Sequence, residues 1–548
     1  MKRTWMCILA SLFFLTLAVA NDTATPGFIV IAPDRGYEGN EEIRQAYQGF
    51  QKGFESVLVF ISLSADDEET VRTRLKEGVT LLRNKGAGEV VVLPMLLSDG
   101  DPHLRKAKAL LGEVPNLRIA PAMGDHYLLA QILEERAREL SQAPAKERFL
   151  VVGAGATSHE EAQEIRSVLD RLIAEVKHSM PFQETHSVVL YNSAGPEKVV
   201  REGNQKAQES LKSLAADKNL RTIVVPFHLG YKHTASMQTA RTLEKMLKDL
   251  PVRLSEKEIL PHSNVALWLR RRANQFVPPR REEMGIVVMI HGAGEYMNEA
   301  LTAFVTPLSQ RYNVEVAFGM ADVETLQKAV ETVEARGARR ILIFRLYNLS
   351  LNLRDEMEYL VGQSQPPEVH HGHGHSLPRR LTSGAILYTA GGHDSDPLIS
   401  QVFLERTLEV SQDPQRETVI LLAHGEGDDS KNNYWLEQLT VQANFIQERA
   451  PKKFKAVVGA TVREDWPDKR EAAVAKVRSL IAEGSRDGGR VLVISARFVG
   501  AGSYRRMLDG LPYTLNAKGL AGHPNVTQWI EKQIEKWIEQ TLRAEVTN

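Results

Sequence analysis

Four stretches of the chain share one pattern of apolar and polar positions. Each opens with a continuous aliphatic run, passes into a polar, glycine-bearing segment, and continues with helical spacing. The clearest is Val419–Asn433, VILLAHGEGDDSKNN, with helical periodicity over Tyr434–Arg449. Gly285–Glu299, GIVVMIHGAGEYMNE, repeats it. Two earlier copies, FIVIAPDRGYEGNEEI at Phe28–Ile43 and FLVVGAGATSHEEAQEI at Phe149–Ile165, place Pro33 and Ala154 where the later copies have His291 and His424. The pattern predicts a buried strand, a tight loop and a helix. The loop residue then sits at the carboxyl end of a strand, where open α/β sheets bind ligands.

Two more landmarks recur in the same order, with a period of about 130 residues. One is a later strand, at Glu89–Leu97, Thr222–Gly230, Arg340–Asn348 and Arg490–Phe498. The other is a histidine before the last helix of each unit: His126, His262, His393 and His523, expected to close the turn into that helix. Each unit reads strand, loop, helix, strand, helix, strand, loop, strand, helix. The strands are continuously apolar and β-branched, as in parallel sheets covered on both faces. Amphipathic stretches such as Glu324–Arg336 and Glu471–Glu483 supply the covering helices. The expected architecture is α/β: four tandem doubly wound parallel-sheet units, paired first with second and third with fourth. The expected boundaries are 21–145, 146–275, 284–413 and 414–548, with a Pro- and charge-rich linker at 276–283.

Composition narrows the function classes. Apolar content of 43%, charged content of 25% and a formal net charge of -1 are those of an ordinary globular protein. They give no basis for a nucleic-acid partner. Lys2 and Arg3, the apolar run Trp5–Val19 and Ala18-Val19-Ala20 read as a secretory signal over residues 1–20, cut after Ala20. A periplasmic or secreted protein with no stable membrane insertion after cleavage is expected. Cys7, the sole cysteine, lies in that signal, so the mature chain has no thiol chemistry. Gly-Ala-Gly at 153–155 and 292–294 is too short for a dinucleotide fingerprint, and no nucleotide is expected. No Gly-x-Ser-x-Gly elbow accompanies the Ser-His pairs.

Histidine carries the candidate chemistry. A neutral imidazole ligates divalent transition metals and takes protons near neutral pH. His291 and His424 are the candidate catalytic residues and metal ligands, and His103 and His233, after later strands, are candidate ligands. Glu426, Asp428 and Asp429 could assist a metal at His424 or simply complement a helix N-terminus. In the third unit an insertion at 363–380, QSQPPEVHHGHGHSLPRR, sets His370, His371, His373 and His375 between prolines. It is expected to be an exposed, flexible loop that captures Ni²⁺, Cu²⁺, Co²⁺ or Zn²⁺, the alternative being a polar surface loop with no ligand; the divalent ion expected as substrate or ligand of the protein is Co²⁺, Fe²⁺ or Ni²⁺.

These landmarks resemble the class II tetrapyrrole chelatases, the CbiX/SirB-like sirohydrochlorin cobalto- and ferrochelatases. The family opens with a strand running into Ala-His-Gly, as in AHGEGDD at 423–429, and later has a strand ending in proline before Gly-x-His, as in VVPFHLGYKH at 224–233. The resemblance implies insertion of a divalent metal into a tetrapyrrole without ATP, using two histidines and a carboxylate. It also allows a non-catalytic metal- or tetrapyrrole-binding protein on the same fold. The first family histidine falls on His291 and His424. The second falls on His233 and approximately on His103, with Asn352 and Gly502 at that place in the last two units. The family glutamate falls on Ser62 and Met320 in the first and third units, and no carboxylate is evident in the second or fourth.

Overall fold

The computed structural model describes residues 25–544 except 113, 218, 293, 367–377 and 521. The expected signal segment and His370, His371, His373 and His375 lie outside the described residues.

The aliphatic runs form strands that repeat in four sets of four. The first unit holds β1 (Gly27–Pro33), β2 (Ser56–Ile61), β3 (Val90–Pro94) and β4 (Leu117–Ile119); the second holds β5 (Glu147–Ala156), β6 (Glu184–Tyr191), β7 (Arg221–Pro226) and β8 (Val252–Leu254). The third holds β9 (Met284–Ile290), β10 (Asn313–Phe318), β11 (Arg340–Leu346) and β12 (Ile386–Gly391); the fourth holds β13 (Glu417–Ala423), β14 (Ala456–Thr461), β15 (Arg490–Ser495) and β16 (Thr514–Asn516). Each sheet has the order second, first, third, fourth, for example β2-β1-β3-β4, and all pairings are parallel. Every residue of β1, β9 and β13 is buried, because helices cover both faces. The chain leaves the first strand toward one side of the sheet and the third toward the other. The loops after these two strands therefore meet at a topological switch point, the usual place for a ligand.

One element differs from the sequence reading. The stretch between the third and fourth strands is a helix rather than a plain loop: Pro102–Leu111, Thr239–Met246, Arg354–Leu360 and Tyr504–Met507. These helices are short, and their polar, glycine-rich approaches hide the periodicity.

The units pair through their helices. One apolar core runs from Phe28 to Val277 across the first and second units, and another from Met284 to Ile538 across the third and fourth. The joints inside the two pairs are copies of each other. Ser141 Oγ and the Gln142 N–H bind Glu147 at 2.5 and 3.1 Å; Ser411 Oγ and the Gln412 N–H bind Glu417 at 2.5 and 2.8 Å. Arg136 Nε donates to the Glu258 carbonyl at 3.2 Å, and Arg406 Nε to that of Gly519 at 3.0 Å. The chain is thus two similar halves, each of two units. The halves meet where Tyr127, Gln131, Arg271 and Asn274 donate to the carbonyls of Leu381, Arg380, Ala385 and Gly384. No helix among the described residues is long and apolar enough to cross a membrane.

Candidate functional site

His424 follows β13 directly, on the loop the sequence singled out. Gly425 has φ +88, and a Cβ there would lie 2.9 Å from the Arg463 nitrogen and 3.0 Å from Thr461 Cβ, so only glycine fits. His424 Nδ1 lies 2.9 Å from the Gly425 carbonyl oxygen. A carbonyl only accepts, so Nδ1 carries the proton. The other nitrogen, Nε2, lies 3.0 Å from Asp465 Oδ2. Between an imidazole nitrogen and a carboxylate at that distance sits a proton, and a divalent cation can replace it. The ring edge rests against Trp466, with centroids 5.7 Å apart.

The loop after β14 supplies that carboxylate, which the sequence reading did not find in the fourth unit. Ala423 pairs with Thr461, so counting on along the register brings Glu464 and Asp465 beside His424. That count was the missing signal. The Glu464 N–H donates to the His424 carbonyl at 3.2 Å. Its carboxylate accepts from Ser503 Oγ at 2.6 Å and Arg497 NH1 at 2.5 Å. Burial pushes this carboxyl up, but Ser503 and the Arg497 charge together hold it below its ordinary value. Arg463 takes a left-handed φ of 50° and grips the Glu426 and Gly427 carbonyls at 2.7 and 2.6 Å. Backbone strain of this kind costs on the order of 1–3 kcal/mol and is held here by those bonds.

The acidic cluster is structural. Glu426 accepts from Asn352 of the third unit at 2.6 Å, Asp428 caps the following helix at the Lys431 N–H, and Asp429 pairs with Arg463 and Lys469.

His291 occupies the same position after β9, with Nδ1 3.0 Å from the Gly292 carbonyl. It is exposed, and its loop partner from β10 is Gly319-Met320-Ala321, with no carboxylate at the place of Glu464. Asp322 is turned instead to capping the next helix at the Thr325 N–H, 2.8 Å away. No hydrogen bond or ion pair joins His291 to His424 among the described residues.

In the first half the corresponding seam is sealed. Arg35, fully buried, binds Glu42 at 2.9 Å, Glu258 at 2.8 Å and the Gly230 carbonyl at 2.8 Å. His228 lies 4.0 Å from Glu258, and burial lowers its pKa, keeping it neutral. Lys232 pairs with Glu42. Two cations and two carboxylates thus close the space between the first loop of the first unit and the late loop of the second. His233 lies on this seam: its Nδ1 accepts from the Tyr37 N–H at 3.4 Å, and its ring is parallel to Tyr231 at 6.3 Å. His103 lies 2.7 Å from Asp101, on the first turn of its helix, and the pairing register sets Asp101 rather than His103 opposite the place of His233. Gly502 takes that place in the fourth unit, where a Cβ would strike Arg497. Among the described residues no three His, Cys, Asp or Glu side chains converge as a metal cage.

Of the four pre-helix histidines, His126, His262 and His523 cap their helices as expected, accepting from the N–H groups of Leu128, Asn264 and Asn525 at 3.2, 3.0 and 3.2 Å. His393 does not. Asp396 caps that helix, and His393 is buried against Phe403, Phe498 and Trp529, bonded to Asn348 and the Asp394 carbonyl. Burial lowers its pKa to about 4.

Residues 34–140 match the CbiX family model. The match falls within the first unit. The other three units share its strand order. No match was found among curated protein sequences. Among solved structures, SirB from Bacillus subtilis with Fe3+ aligns at 15% identity and a TM-score of 0.35, covering 48% of this chain and 98% of that one. The multi-domain DR2241 from Deinococcus radiodurans, described as having structural similarity to chelatases, aligns at 15% identity and a TM-score of 0.32, covering 46% of this chain and 54% of that one.

Proposed function

We propose that this CbiX-domain protein is a tetrapyrrole chelatase-like protein whose second half handles the metal, with His424 as first ligand and proton acceptor. The observation that carries this reading is the His424–Asp465 contact at 3.0 Å, on a ring whose other nitrogen is fixed by a carbonyl. A divalent substrate ion such as Co²⁺, Fe²⁺ or Ni²⁺ replaces the proton held between Nε2 and Asp465 and binds both, and that proton leaves to solvent. Imidazole and carboxylate leave coordination positions open for macrocycle nitrogens. His291 serves as an outer ligand without a carboxylate of its own. His103 and His233 are engaged by Asp101 and by Tyr37 and Tyr231, which argues for structural roles. The tract His370, His371, His373 and His375 gathers metal for the site. Insertion needs no nucleotide. The protein works after export, cleaved after Ala20.

The test follows sirohydrochlorin absorbance on addition of Co²⁺ or Fe²⁺, with wild type, His424→Ala and His291→Ala. Insertion lost in His424→Ala supports an enzyme. Binding of metal and macrocycle without insertion supports a carrier, the reading favoured by Gly502 and the Arg497–Glu464 pair where the family has its second histidine. Neither signal in wild type rejects both. Mass spectrometry of the mature N-terminus tests cleavage.

A further inference from the structure

Three helices that build the joints within the halves are capped by histidine, a rare choice where serine, threonine, aspartate and asparagine are preferred. His126 begins the helix Tyr127–Leu140, His262 the helix Ser263–Asn274, and His523 the helix Pro524–Ala544. Each uses Nδ1 as acceptor for a backbone N–H. An acceptor nitrogen holds no proton, so each ring caps only while neutral. In two of them the opposite nitrogen crosses to the partner unit at an equivalent place. His262 Nε2 lies 3.3 Å from Glu135, and His523 Nε2 lies 2.8 Å from Glu405. With Nδ1 accepting, Nε2 is the protonated nitrogen and donates to that carboxylate. The fourth helix of the set, Pro397–Leu408, is capped by Asp396 through the Leu398 N–H.

We propose that the caps at His126 and His262 form an acid-sensitive device that loosens the joint between the first and second units below neutral pH. A proton added at Nδ1 turns the acceptor into a donor aimed at another donor. It also puts positive charge at a helix N-terminus, where the dipole opposes it. Each event releases one backbone N–H and the first turn it anchors. The neighbouring charges divide. Arg271, Arg272 and Arg380 face His126 and oppose its protonation, as does burial, so its pKa lies well below the ordinary value. Arg136 and Arg379 oppose it at His262, where burial outweighs Glu135 and lowers the pKa. Glu405, with Arg406 beside it, faces His523. For His126 and His262 the sign follows from the lowered folded values: the stabilisation is complete above about pH 6.5 and is lost as pH falls. The inference does not depend on the function proposed above.

Hydrogen exchange by mass spectrometry on the full chain at pH 7.5 and 5.0, corrected for intrinsic rates, tests it. The first turns of the helices capped by His126 and His262 should lose protection by about five- to ten-fold at pH 5.0, the worth of one cap. The double variant His126→Asn/His262→Asn keeps a capping side chain that cannot titrate and should show no pH-dependent loss at these two first turns. Should the double variant fail to fold, His262→Asn alone should flatten the response of its own helix and leave the His126-capped helix responsive. Unchanged protection in wild type, or the same acid response in the asparagine variants, would each overturn the proposal.

Discussion

The two halves of this molecule share a frame and differ at its mouth. Both are joined by the same Ser-Gln…Glu clasp and the same arginine on a partner carbonyl. In the first half the seam between the early and late loops is filled by Arg35, Glu42, Glu258 and Lys232. In the second half His291 stays exposed, and His424 faces Asp465 from a loop held by the Glu464–Arg497 pair. The difference teaches that the seam beside the first loop can be closed by buried ion pairs in one half and leave His291 exposed in the other. A buried guanidinium consumes the carboxylates and repels any cation that would bind there. The half with Pro33 and Ala154 after its first strands has an ion-paired seam, and the half with His291 and His424 there leaves the first exposed and the second half-buried.

The largest effect should come from breaking the seal. Arg35→Ala leaves Glu258 buried and unpaired, and should destabilise the first half by about 3–5 kcal/mol in thermal or urea unfolding. Arg497→Ala, on a partly exposed pair, should cost far less. Equal losses would show that the two seams are energetically alike.

Next comes pH. His393 is buried and neutral with a pKa of about 4, against about 6.5 when unfolded. A lowered folded value means stability fully present above pH 6.5 and lost as pH falls toward 4, about 3 kcal/mol in all. His393→Gln should flatten the pH dependence of the second half's unfolding transition. An unchanged slope would break the assignment.

The two histidines should then separate. His424→Ala should lower metal insertion or binding by about 100-fold, whereas His291→Ala, lacking a carboxylate partner, should cost under about 10-fold. Isothermal titration with Co²⁺ reads this, and the reverse order would move the metal to the third unit. The smallest effect expected is Asp465→Asn, which keeps the hydrogen bond but removes the charge, with about a 10-fold loss of metal affinity.

Much of the frame was legible because periodicity encodes it. A continuous apolar run with both faces buried reads as a central parallel strand, so β1, β9 and β13 stand out along the chain. Helices beginning near Asp428 and Asp322 were placed within a few residues. The short helices before the fourth strands were hidden, since four to ten residues carry too few turns for a periodic signal. The pre-helix histidines were legible as caps except His393, because an offset of a few residues at a helix start exchanges a surface turn for a buried pocket.

The sequence by itself determined the fourfold repeat, the parallel sheets and the identity of the histidines at strand ends, since these depend on local pattern and spacing. Only the tertiary structure decided what each histidine faces. Asp465 and His424 are far apart along the chain and meet through the pairing of Ala423 with Thr461. Arg35 and Glu258 meet only because two units close on each other. Contacts of that kind are set by register and by packing between units, which single-chain periodicity does not carry.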